Sequence, residues 1–358
     1  MNDVCRRARA RCIRIAAFAA GVLAAASVAA PAGAAVGLTR LAPTGDDGPV
    51  TVFYPTTAEP ATVKRGPFTF SLAEDAAPAR GNGHLVVVSH GSGGSPWVHA
   101  NLAQALVGAG FVVAFPEHHA DSTRDPSRPG PESWTIRPRE VSHAIDAVGA
   151  DARFAPLVAT DRVGLYGMSA GGHTALSLAG GRWSPALFAR HCDAELAADF
   201  QSCVGLATQL TGGLLDPLKR FFARRAIDHL FASDTRLRED SDPRIAAIVA
   251  GVPAAADFDM ATLAAPRVPL AIVTARHDLW LIPRFHGDAV LAACRSCEHL
   301  ADFPDGGHGA LLSPSPPGLD GLIGRMLNDP SGFDRAKEVP AVDAKIVDWF
   351  RLRLLAGG

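Results

Sequence analysis

The stretch Arg162-Val-Gly-Leu-Tyr-Gly-Met-Ser-Ala-Gly-Gly-His-Thr-Ala-Leu-Ser-Leu-Ala179 decides the fold. Residues 162–166 form a short apolar run that reads as a strand, and residues 170–179, rich in Ala and Leu, read as a helix. Between them stands Gly167-Met168-Ser169-Ala170-Gly171, a G-x-S-x-G pattern. A strand that enters a helix through such a turn holds its serine in a strained conformation, with Oγ exposed at the helix N-terminus. The glycines let the chain turn sharply and let helix and strand approach closely. The bare pattern is weak, but the strand-turn-helix context makes it strong and makes Ser169 a candidate nucleophile.

Outward from this stretch, short apolar runs alternate with helical ones. Strands are expected at 50–54, 85–89, 111–115, 245–249, 270–274 and 300–303. Helices are expected at 98–107, 139–148 and 342–355, with Pro138 in the first turn of the second. This alternation predicts a mostly parallel sheet with helices on both faces. Ligands of such sheets bind beyond the carboxyl ends of the strands. Residues 183–243 break the rhythm, holding charged helical stretches, Phe221-Phe222 and no sheet-like run. They predict a helical insertion, which forms a lid, a wall of the pocket, or a decoration away from it.

A serine hydroxyl needs a general base, and the base needs an orienting carboxylate. Downstream, Leu270-Ala-Ile-Val-Thr-Ala-Arg-His-Asp278 runs a strand directly into an acid, and Phe303-Pro-Asp-Gly-Gly-His308-Gly presents a histidine on a glycine-rich loop. Asp278 and His308 are therefore the candidate acid and base, with Asp257 as the competing acid. Asp305 reads as shaping the turn before His308, His277 falls at the wrong point in the order, and His173 reads as a helix-face residue. An oxyanion hole needs two backbone N–H donors. Ala170 supplies one. The loop His90-Gly91-Ser92-Gly93-Gly94 supplies the other, from Ser92 with Gly93 second, while His90 ties the loop down. Trp97 and Trp280 flank these loops and either line an acyl pocket or serve packing. His118-His119 with Asp121 invites a metal reading, but adjacent histidines point in different directions, so no metal is expected.

The 358 residues, 48% of them hydrophobic and 20% charged, suffice for one large core or two modest ones. Arg6, Arg7, Arg9, Arg11 and Arg14, an Ala-rich run to about residue 30 and Ala32-Gly33-Ala34 follow the order of a signal peptide. A membrane anchor needs roughly 20 strongly apolar residues, and this run is mostly Ala and is broken by Pro31. Residues 1–34 are thus expected to direct export and be cleaved, leaving 35–358 as one domain in the periplasm or outside the cell, with no membrane span. Those first residues hold five arginines and one aspartate, so the remainder carries 29 basic and 35 acidic side chains, a net of −6. That balance disfavours nucleic acid as a partner. Of the three possible pairings of Cys192, Cys203, Cys294 and Cys297, the local one is preferred, Cys192 with Cys203 and Cys294 with Cys297. A redox or zinc role for the C-x-x-C finds no supporting pattern.

Three stretches carry a resemblance: Val88-Ser-His-Gly-Ser-Gly-Gly94, Phe111-Val-Val-Ala-Phe-Pro-Glu-His-His-Ala-Asp-Ser122 and Gly167-Met-Ser-Ala-Gly-Gly172. Together they resemble the platelet-activating factor acetylhydrolase and dienelactone hydrolase-like group of the α/β-hydrolase superfamily. The likeness runs from about residue 50 to 179 and resumes from 245 to 312. It implies an α/β-hydrolase fold, here with a helical insertion, acting on a small-molecule or lipid-like carboxylic ester without a cofactor. Two departures stand out. Dienelactone hydrolases use a cysteine where this chain has Ser169. Secreted platelet-activating factor acetylhydrolases take their acid after the earlier strand, where this chain has Gly251; an acid at Asp278 is similar to bacterial relatives and bacterial cutinases. The insertion matches neither. Two other functions fit the pattern less well. A peptidase of the prolyl oligopeptidase type carries a large extra domain for which the chain has no room. An exported binding protein would not need a nucleophile, acid and base in order.

Overall fold

The computed structural model describes residues 35–355; the expected export segment, 1–34, lies outside the described residues. Twelve strands are described: β1 Ala35–Leu41, β2 Val50–Thr56, β3 Ala61–Arg65, β4 Phe68–Glu74, β5 His84–Ser89, β6 Val112–Pro116, β7 Ala159–Met168, β8 Arg182–Trp183, β9 Ile245–Gly251, β10 Phe258–Asp259, β11 Leu270–Ala275 and β12 Glu298–Phe303. Ten of them form one sheet in the order β12-β11-β9-β7-β5-β6-β2-β1-β4-β3. From β12 to β6 every neighbouring pair is parallel, whereas β6-β2, β2-β1 and β4-β3 are antiparallel. The expected mostly parallel sheet is thus extended by an antiparallel wing. Strands β1, β3 and β4, and the two-residue strands β8 and β10, were not expected from the sequence. The reason is physical: β4 alternates buried and exposed residues and β3 is largely exposed, so neither presents the continuous apolar run of a doubly covered strand.

The helices are α1 Ala100–Gly108, α2 Pro131–Ala150, α3 Ala170–Leu178, α4 Pro185–Glu195, α5 Phe200–Val204, α6 Asp216–Phe231, α7 Gly287–Ala293, α8 Gly321–Leu327 and α9 Arg335–Phe350. In β5, Val86 and Val88 face one apolar core with Leu102, Leu106, Ile346 and Phe350 of α1 and α9. Leu85 and Val87 face the other, with Ile145 and Leu176 of α2 and α3. Both faces of the parallel strands are therefore covered, which is why those strands read as unbroken apolar runs. Two helices start earlier than their sequence suggested. Pro131 opens α2, leaving Pro138 inside the helix and not in its first turn. Likewise α9 starts at Arg335 with Pro340 inside it, and ends in a wide turn, Arg351–Leu355. A proline inside a helix removes one N–H from the ladder, so it resembles a boundary when the sequence is read alone.

Between β8 and β9 the chain forms α4, α5 and α6, the expected helical insertion. It has its own small core, in which Phe188, Leu196, Phe200 and Ile227 meet a disulfide between Cys192 and Cys203. The second disulfide joins Cys294 to Cys297, so both pairings are the local ones. Among the described residues no helix is long and apolar enough to cross a membrane.

Candidate active site

Strand β7 lies between β5 and β9, with Ser89 level with Gly167 and Met168 level with Gly251. The chain leaves β7 at Ser169 and enters α3 at once. Ser169 takes φ 58° and ψ −115°, in the left-handed region that a residue with a Cβ rarely adopts. Backbone bonds hold it there: its N–H donates to the Gly251 carbonyl at 3.0 Å, and its own carbonyl accepts from Ala254 at 3.1 Å. Two glycines make the turn possible by proximity. A Cβ at Gly167 would collide with the Gly171 carbonyl, and one at Gly171 with the Ser89 carbonyl.

The loops after β11 and β12 lie side by side because those strands are parallel neighbours. Main-chain bonds zip them together, Arg276 N–H to Phe303 O at 3.0 Å and His277 N–H to Gly306 O at 2.9 Å. The zip closes a sequence gap of thirty residues, so His308 Nδ1 lies 2.7 Å from Asp278 Oδ2. The other carboxylate oxygen accepts the N–H groups of Trp280 and Leu281, each at 2.8 Å. A carboxylate only accepts, so the proton of His308 sits on Nδ1 and Nε2 is left as an acceptor. Nε2 lies 2.9 Å from Ser169 Oγ. Asp278 and His308 are both buried, while Ser169 is partly open. The arrangement can draw a proton from the serine hydroxyl and hold the resulting imidazolium against a carboxylate.

The loop after β5 lies against Ser169: a Cβ at Gly91 would sit 3.4 Å from the Ser169 Cβ. A buried network that the sequence did not reveal fixes this loop. Arg137 of α2, fully buried, donates to the His90 carbonyl at 2.6 Å and to Asp121 Oδ2 at 2.8 Å. Asp121 in turn accepts from the Ser92 hydroxyl at 2.5 Å and from the Gly93 N–H at 3.0 Å. Burial works against the Asp121 charge, but Arg137 and the hydroxyls of Ser92 and Ser133 outweigh it and hold the carboxyl below its usual range. Gly93, the second choice as oxyanion donor, therefore has its N–H committed. Among the described residues no protein acceptor takes the N–H of Ser92 or Ala170. Read from sequence alone, Arg137 is one more surface charge; Asp121, close behind the conspicuous His118-His119 pair, was the available hint.

Other residues singled out from the sequence have different partners. His118 bonds Ser89 Oγ at 2.8 Å and Glu140 at 2.6 Å, and burial, reinforced by Arg137, drives its imidazole well below the usual range. His119 points elsewhere, toward Arg128. His90 bonds the Gly91 carbonyl and accepts from the His118 N–H, tying the loop as expected. Asp257 lies 3.0 Å from His173, and the His173 ring packs among Trp134, Trp183 and Phe258. The competing acid and this helix histidine thus serve each other, away from His308. His277 and Asp305 are exposed.

A cavity of about 1440 Å³ opens on Ser169 and His308. Trp280 stands on its wall, its ring 5.3 Å from that of His308. Trp97 also lines it while packing on Phe53 and Phe70. Phe188, Val204, Leu206 and Phe231 make the insertion a wall of this cavity. The insertion is latched to the body by Asp199, which accepts from His191 at 2.8 Å and from His286 of the body at 3.1 Å.

The chain is similar to a solved structure, a ferulic acid esterase from Streptomyces cinnamoneus. The TM-score is 0.58 at 16% identity, over 92% of this chain and 93% of that one. With the sheet described above, this likeness makes the fold that of the α/β-hydrolases. No protein-family model matches the chain, and no curated protein does.

Proposed function

We propose that the chain is a serine hydrolase that cleaves carboxylic esters through an acyl-enzyme on Ser169. The observation that carries the reading is the continuous hydrogen-bonded line from Ser169 Oγ through His308 to Asp278, opening on an apolar cavity. Ser169 Oγ attacks the ester carbonyl carbon while its proton passes to His308 Nε2. Asp278 holds the imidazole and stabilises its charge. The N–H groups of Ala170 and Ser92 bind the oxyanion. As the tetrahedral species collapses, the C–O bond to the alcohol breaks and His308 returns the proton to the leaving oxygen. Water then repeats the steps and releases the acid.

A cavity of this size exceeds what an acetyl group needs. It favours esters with a larger apolar portion, lipid-like ones included, over a strictly acetyl-removing enzyme. The similar solved structure being an esterase agrees with this reading. Two disulfides agree with an exported protein. Ser169→Ala is expected to abolish turnover of p-nitrophenyl esters and labelling by a fluorophosphonate probe. Retained turnover or labelling would remove Ser169 as the nucleophile. A panel of acyl lengths then ranks the substrates.

A further inference from the structure

The exposed large apolar side chains of the described residues are clustered: eight of ten lie between residues 206 and 237. Leu218, Phe221 and Phe222 stand in the first half of α6, and Leu214 and Leu215 in the turn just before it. The three helical residues, three and four apart, share one side of the helix. All five are open to solvent, Leu214 at 99% and Phe222 at 61%. The opposite side is anchored, with Ile227 in the core of the insertion and Asp216 turned inward onto the N–H groups of Thr211 and Gly212.

Charge accompanies the apolar face. Helix α6 carries Lys219, Arg220, Arg224 and Arg225 against Asp216 and Asp228, on a chain whose residues 35–358 are net acidic. Lys219 pairs with Asp216, and Arg224 with Asp193. Among the described residues no carboxylate lies within ion-pair distance of Arg220 or Arg225, and the Arg225 guanidinium stands 5.9 Å over the Phe221 ring. The face is also continuous with the cavity. Leu206 lines the cavity and is itself exposed, and Lys219 reaches back to the Gln209 carbonyl to tie that rim to α6.

We propose that α6 is an interfacial helix that seats the protein on an anionic phospholipid surface. Its apolar side enters the acyl boundary, Arg225 on that same side meets the phosphates, and the cavity mouth faces the lipid. A second copy of the chain is the less fitting occupant, because an isologous contact would bring two copies of this net basic helix together. Docking does not rest on the hydrolytic reading; only delivery of an ester to Ser169 does.

The test uses the full chain and its Ser169→Ala variant, sedimented with phosphatidylcholine vesicles with and without phosphatidylglycerol. Both forms should bind the anionic vesicles alike. The triple variant Leu214→Ser, Leu218→Ser, Phe222→Ser should bind roughly 100-fold more weakly. Arg225→Gln should lose about fivefold, on the anionic vesicles alone. All variants share residues 1–34, so the differences report on α6. Near-ultraviolet circular dichroism and turnover of a soluble p-nitrophenyl ester should stay at the parent level in the α6 variants. Equal binding by parent and triple variant overturns the proposal. So does a parent dimer in solution that the triple variant splits into monomers. Vesicle binding without any ester turnover would instead remove the hydrolytic reading and leave docking in place.

Discussion

At Ser169 the backbone is held at φ 58°, a conformation that costs about 1–3 kcal/mol for a residue with a side chain. The bonds to Gly251 and Ala254 offset that cost and aim Oγ at His308. This residue and its two partners were legible in the sequence because each stands at or shortly after the end of a strand, and parallel strands bring their ends to one rim. If Asp278 orients His308, Asp278→Asn should present an N–H to Nδ1, force the other tautomer and lower kcat roughly 10⁴-fold. Asp257→Asn should leave kcat within a few-fold, since Asp257 faces His173. Steady-state kinetics on one soluble ester compares the two. Arg137 was not legible, because burial is what sets it apart from other arginines and burial follows from packing. Arg137→Lys loses the fork that reaches both the His90 carbonyl and Asp121. It should cost about 1–3 kcal/mol of stability in urea titration and lower kcat, with KM changing little, as the loop after β5 loses its anchor.

The elements repeat this pattern at a larger size. Strands buried on both faces were legible as apolar runs, and the insertion as a gap between them. The antiparallel wing was not, because β3 and β4 face water on one side and carry polar residues at alternate positions. The starts of α2 and α9 were obscured by Pro138 and Pro340, which the helices accommodate. The join of β7 to α3 depends on a missing side chain. Gly171→Ala would drive a methyl group into the Ser89 carbonyl, and the helix cannot retreat without moving Ser169. A loss of about 2–4 kcal/mol in urea titration is expected, together with a drop in fluorophosphonate labelling at temperatures where the variant stays folded.

For the whole molecule, one buried carboxyl sets a pH dependence that local pattern could not announce. Asp343 of α9 lies against Ser313, and burial pushes its pKa up to about 7 from an ordinary 3.8. Below about 4 both folded and unfolded chains hold this proton. Between about 4 and 7 the unfolded chain loses it while the folded chain keeps it, so folding is progressively disfavoured as pH rises; above 7 the penalty is complete. Asp343→Asn removes the titration. It should stabilise the protein at pH 8 by a few kcal/mol, up to about 4, and the gain should shrink toward pH 4. Urea midpoints across that range check it; a constant difference would assign the effect to packing.

The zip between the loops after β11 and β12 has an evolutionary consequence. Peptide groups form it, Arg276 to Phe303 and His277 to Gly306. The Arg276 side chain adds ion pairs to Asp302 and Asp288, whereas the exposed His277 side chain takes no part in the zip. Position 277 is therefore free to drift. Descendants of this chain could exchange His277 and alter the charge around the rim, while inheriting an unaltered distance between Asp278 and His308.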